Sequence, residues 1–78
     1  MPVTREEVLV AIREAKVGAD TSKLRDDAKL SEQGIDSLEI FNVLLVISEK
    51  FNIDIPDEDT DQLETINDIV TYLNQHLS

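Results

Sequence analysis

The sequence predicts an all-α fold in one domain spanning 1–78, with three main helices and a minor one. Three observations lead there. Apolar residues recur at helical spacing in three separated segments. Each of those segments opens on a capping pattern. The composition has only two Gly, two Pro and no Trp, which suits a compact helical protein better than a sandwich of short strands and many turns. The 78 residues are enough for one modest core.

The first helix starts at a T-x-x-E box. Thr4 caps it, Glu7 completes the box, and Val3 and Val8 are spaced for a hydrophobic staple. Val8, Ala11, Ile12 and Ala15 follow on one face, and Gly18 is the expected stop. A long polar connection, Gly18 to Ile35, shows no sustained period, and Leu24, Ala28 and Leu30 are the side chains that would pin it to a core. Loops of this length in compact domains are usually functional or ordered by their own side chains.

The second helix is expected over 37–51. Eight of the ten residues from Leu38 to Ile47 are apolar, so its face is broad: Val43, Ile47, Ile40, Phe51, Leu44 and Phe41. Glu39, Asn42, Glu49 and Lys50 fall opposite, Leu38 and Leu45 on the boundary, and Val46 within the polar arc. Exposed leucines beside carboxylates read as a docking surface. After NIDIP, the acidic stretch DEDTDQLE reads as a short helix or turn started by Pro56. The last helix is capped by Thr65 with Asp68 at the box position. Ile66, Ile69, Val70, Leu73 and Leu77 form its apolar face.

Charge narrows the partners. Net charge is −10, and residues 1–30 hold six basic and six acidic residues, so all of it lies from Ser31 onward. Such a surface repels nucleic acid and anionic membrane and favours a basic protein partner. It also works against compaction, so moderate salt or a divalent cation is expected to raise the melting temperature. A thermal melt indifferent to both would count against clustered acidic repulsion. No apolar run reaches a membrane span, and MPVTREEVLV lacks a signal-peptide pattern, so a cytoplasmic location is expected.

Chemistry is sparse. With no cysteine there is no disulfide, no thiolate metal site and no thiol nucleophile. The one histidine, His76, lies near the end and reads as a solvated tail residue. Asp57, Asp59 and Asp61 fit the first, third and fifth places of a calcium loop, but Gln62 stands where glycine is needed and Asp68 where a glutamate is. No metal site is expected.

Ser37, in EQGIDSLEIF, is the residue of interest. Serine is a common helix cap, yet Asp36 is the better one here, because it sets Glu39 at the reciprocal box position. Ser37 then becomes the first helical residue, its hydroxyl free and outward. A phosphate ester on it would lie at a helix N-terminus, where free N–H groups and the helix dipole favour negative charge. The preceding Gly34 would let a large enzyme approach the backbone. A regulatory phosphoserine fits this placement equally well.

GIDSLEIF followed by FNIDIPDED resembles the acyl carrier proteins, through G-x-D-S-L, a long apolar second helix and an I-P-D/E segment before the last helix. The resemblance covers essentially the whole chain. It implies a four-helix up-down bundle with a long first loop and a short third helix. It implies a carrier, not an enzyme, whose Ser37 bears 4′-phosphopantetheine. A phosphopantetheinyl transferase would install that group from coenzyme A with magnesium. The arm's thiol would hold acyl groups as thioesters, which agrees with a chain lacking its own thiol. Partners would be acyl-loading, processing or transfer enzymes with basic docking patches, in fatty-acid, lipid or polyketide-type biosynthesis, and the carrier would be a monomer. The resemblance assigns recognition to Asp36, Leu38, Glu39, Leu45 and Glu49, and the acyl pocket to residues such as Phe41, Ile47, Ile55 and Ile66.

The second helix is less acidic than is typical of the family: Asn42 and Ser48 stand where glutamate is frequent, Lys50 adds a positive charge and Ile40 is apolar. This points to a specialised rather than a housekeeping carrier. The competing reading is an unmodified acidic interaction module, which predicts that Ser37→Ala leaves function intact.

Overall fold

The computed structural model describes residues 2–18 and 20–77. Among them are four α-helices, α1 (Arg5–Glu14), α2 (Ser37–Lys50), α3 (Asp57–Thr60) and α4 (Ile66–Leu77), and no strand. Two short 3-10 turns, Thr21–Lys23 and Leu30–Gln33, interrupt the long connection. α1 packs on both α2 and α4.

Thr4 caps α1, its Oγ1 accepting the Glu7 N–H at 3.4 Å, but among the described residues the Glu7 side chain does not return to the Thr4 N–H, so only half of the expected box is made; Val3 and Val8 are both buried. The core face is Val8, Leu9, Ala11 and Ile12. The expected stop is corrected. α1 ends at Glu14, and Lys16, not Gly18, takes the left-handed conformation (φ 58°) that turns the chain. Asn74 of α4 clamps the entry to α1: its Oδ1 accepts the Val3 N–H at 2.7 Å and its Nδ2 donates to the Val3 carbonyl at 3.2 Å.

The long connection is fastened by its own side chains. Leu24, Leu30 and Ile35 are buried in the core, while Ala28 is half-buried. Gln33 accepts the Arg25 N–H at 2.7 Å and donates to the carbonyls of Arg25 and Ala28. Backbone bonds then tie the loop to the start of α4, Leu30 N–H to Glu64 at 2.9 Å and Asn67 N–H to Asp26 at 3.1 Å. These bonds satisfy backbone groups that a buried loop would otherwise leave unpaired.

α2 closes on Phe51, and Asn52 (φ 53°) makes the left-handed turn out of it. The Ile53 N–H returns to the Ser48 carbonyl at 3.0 Å, a Schellman closure. Thr65 and Asp68 cap α4 reciprocally, at 3.0 and 3.2 Å. On α4 the buried residues are Ile66, Ile69, Tyr72 and Leu73, with Val70 partly buried and Leu77 exposed.

Tyr72 links α4 to α3. Its hydroxyl donates to Asp59 Oδ2 at 2.8 Å, and the exposed His76 ring stacks on it at 4.1 Å. Burial first, then the bond to Asp59 and the charges of Asp59 and Asp54, push this hydroxyl up to about 12 from its ordinary 10.0. The unfolded chain releases that proton at the ordinary value and the folded protein only near the raised one. The contribution of Tyr72 to stability is therefore intact below pH 10.0 and is lost as pH rises through about 12. Alkaline urea melts should show this loss in the parent and not in Tyr72→Phe.

Candidate functional site

Ser37 stands at the vertex between the loop and α2. Ile35, fully buried, anchors the chain two residues before it. Gly34 makes the turn at φ +90°, and a Cβ there would meet nothing within 4 Å. Space is therefore open, and the glycine is required by its backbone angle. Gly34→Ala is expected to cost about 1–2 kcal/mol, read as a lower urea midpoint.

Asp36 takes the cap. Its Oδ1 accepts the Glu39 N–H at 2.8 Å, and Glu39 Oε1 accepts the Asp36 N–H at 3.2 Å, so both halves of the box are made. Ser37 is exposed and, among the described residues, its Oγ makes no hydrogen bond. The N–H groups of Ser37 and Leu38 have no acceptor within the helix. A free hydroxyl, an uncrowded approach over Gly34 and the positive end of a 14-residue helix together fit a phosphate ester at Ser37.

The second oxygen of Glu39, Oε2, accepts the Gly18 N–H at 2.8 Å. The sequence offered no signal for this contact, which joins residues 21 apart.

Beyond Ser37, α2 carries three large exposed apolar side chains, Leu38 (75%), Phe41 (51%) and Leu45 (46%). At about 100° per residue they fall on one stripe, with the exposed Glu49 beyond them, opposite Val43 and Ile47. Phe41 thus departs from the expected core face. The buried residues are Val43, Leu44 and Ile47, flanked by partly buried Ile40, Val46 and Phe51. With apolar residues nearly all round, only the neighbours decide which arc is covered. Of the residues the resemblance assigns to recognition, Asp36, Leu38, Leu45 and Glu49 are exposed, whereas Glu39 is half-buried beside the loop.

A cavity of about 150 Å³ opens between α2 and the α3 segment, lined by Phe41, Leu44, Leu45, Ser48, Ile55 and Thr60, with Asp54 and Asp57 also on its wall. Phe41 and Ile55 therefore meet there, while Ile47 and Ile66 are fully buried in the core. Two of the four acidic residues of the calcium-loop pattern are otherwise engaged: Asp59 holds Tyr72 and Asp68 caps α4.

A serine with an exposed, unbonded hydroxyl at a capped helix start, next to an exposed apolar stripe, is open to covalent modification. Comparison with known proteins agrees. Residues 7–73 match the family described as phosphopantetheine attachment site. The chain is 35% identical to the acyl carrier protein of an Exiguobacterium species, over 96% of this chain and all of that protein. It is 33% identical to the acyl carrier protein of Exiguobacterium sibiricum, over 91% and 95% of the two chains. Against that of Bdellovibrio bacteriovorus the identity is 34%, over 77% and 78%. The chain belongs to the phosphopantetheine-attachment family, among the acyl carrier proteins. It is a carrier and not an enzyme, and its covalent cofactor is 4′-phosphopantetheine, whose thiol supplies the thioester link to acyl groups in biosynthesis. No helix among the described residues is long and apolar enough to cross a membrane.

Proposed function

We propose that Ser37 is the attachment residue and that this chain, acting as a cytoplasmic monomer, delivers acyl intermediates to enzymes of a specialised lipid, fatty-acid or polyketide-type route. One observation carries the assignment: Asp36 does the capping, so the Ser37 hydroxyl is exposed and unengaged at the helix start. Asp36 and Ile35 hold the serine in place from the N-terminal side, one by hydrogen bonds and the other by burial.

The partners are a phosphopantetheinyl transferase and acyl-loading and acyl-processing enzymes with basic patches rimming an apolar seat. Leu38, Leu45 and Glu49 supply the matching surface, and Phe41 joins them because it is half-exposed on the same stripe. The specialised reading rests on the sparse charge of that stripe. Asn42 is neutral, and Lys50 is paired with Glu14 of α1 at 3.1 Å. A carrier that supported general fatty-acid elongation as well as a housekeeping carrier would overturn the specialised assignment.

The attachment is tested by intact mass. Purified protein is incubated with coenzyme A, magnesium and a broad-specificity transferase, beside Ser37→Ala. One phosphopantetheine on the parent and none on the variant is the expected result. Addition to both would place the group elsewhere.

A further inference from the structure

We propose that Glu39 is a positioning residue for phosphopantetheine transfer, a clasp that fastens the start of the α1–α2 loop to the turn presenting Ser37. The proposal rests on Ser37 being the attachment site. Glu39 spans two separate segments: Oε1 accepts from Asp36, the residue before the serine, and Oε2 accepts from Gly18. Both are hydrogen bonds to a carboxylate, the stronger kind. Among the described residues, no other hydrogen bond joins residues 15–18 to α2. The far part of the loop has its own anchors in Leu24, Gln33 and Leu30. At its start Ala15 and Val17 pack partly buried against the core, and the Glu39 carboxylate adds the hydrogen bond that ties this turn to α2.

The path of the chain delivers Gly18 to Glu39. α1 stops at Glu14, the left-handed Lys16 reverses direction, and the Gly18 N–H arrives 2.8 Å from Oε2. The backbone N–H matters here, not the missing side chain: a Cβ on Gly18 would lie 3.9 Å from Oε2, an ordinary contact. Glu39 also sits away from the exposed stripe, half-buried on the flank that faces the loop. Its carboxylate is thus already committed within the molecule, unlike that of Glu49. By holding the Asp36 N–H and the loop together, Glu39 limits the geometries that the Ser37 backbone can sample, and small misplacements of a reacting group are costly in rate.

Three variants separate positioning from direct recognition. Glutamine has one acceptor oxygen and one donor nitrogen at its tip, so Glu39→Gln can serve one of the two N–H groups and not both. Gly18→Pro deletes one N–H and leaves the Glu39 charge untouched. Gly18→Ala keeps the N–H and serves as the control. In Glu39→Gln, amide exchange at Gly18 or Asp36 should quicken by roughly tenfold. In transfer kinetics, kcat should fall roughly threefold or more in Glu39→Gln and Gly18→Pro with KM within about twofold, and Gly18→Ala should match the parent. If both amides exchange as in the parent, the clasp is overturned. If Glu39→Gln raises KM alone and folded Gly18→Pro transfers normally, Glu39 contacts the transferase directly and the proposal fails. Should Gly18→Pro not fold, Glu39→Gln decides by the same two readouts. A parent that accepts no phosphopantetheine would sink the Ser37 assignment, while the amide exchange would still test the clasp.

Discussion

Ser37→Ala is expected to abolish phosphopantetheine loading while changing stability by less than about 0.5 kcal/mol. The two halves of this result have separate causes. Loading needs the hydroxyl oxygen as the atom that becomes the phosphate ester. Stability does not, because that oxygen makes no hydrogen bond among the described residues and the side chain is exposed. Alanine is also the strongest helix former. The neighbouring Asp36→Ala should instead lower stability while leaving the attachment atom in place. It removes the acceptor for the Glu39 N–H and half of the capping box, at about 1–2 kcal/mol, yet keeps the hydroxyl. Intact mass and urea melts on both variants check the pair. A Ser37→Ala protein that melted well below Asp36→Ala would show that the serine had been the cap.

Leu30→Ala is expected to cost about 2–5 kcal/mol. Leu30 is fully buried although it belongs to the long connection, and its N–H bonds to Glu64 at 2.9 Å. A two-state domain gains roughly 0.05–0.15 kcal/mol per residue, which for a chain of this length is about 4–12 kcal/mol in total. One loop leucine thus accounts for a large share of the margin, and the variant should be substantially unfolded at 37 °C in low salt, where acidic repulsion is least screened. Leu38→Ala is the comparison. It removes the same number of atoms from a side chain that is 75% exposed, and should move the urea midpoint little. If the two substitutions cost the same, the long loop is not part of the core.

Both expectations draw on features that differ in how far they could be read from the chain. The caps were legible. Asp36 with Glu39 and Thr65 with Asp68 form reciprocal pairs in the structure, because a capping box is a local arrangement whose partners lie three residues apart. Leu24 and Leu30 were legible too, as the large apolar side chains available to pin a polar stretch to the core, while Ala28, read with them, is only half-buried. The stop of α1 was not. Lys16 takes the left-handed turn two residues before Gly18, since a glycine permits that conformation without compelling it. Tyr72 falls outside the expected apolar stripe of α4 yet is buried, because its ring packs into the core while its hydroxyl finds Asp59.

By itself the sequence determined the helices, their starts, and the placement of Ser37 as the first residue of α2, since each depends on residues within one turn of each other. It also determined the chemical class, through the G-x-D-S-L and I-P-D segments that it shares with the acyl carrier proteins. The tertiary structure decided which arc of α2 faces out, setting Phe41 beside Leu38 and Leu45 instead of in the core. It also decided what Glu39 holds, through a Gly18 N–H 21 residues away. The reason is the same in both cases. A helix that is apolar nearly all round, and a carboxylate with two free acceptors, have several equivalent partners locally, and only the packing of distant segments selects among them.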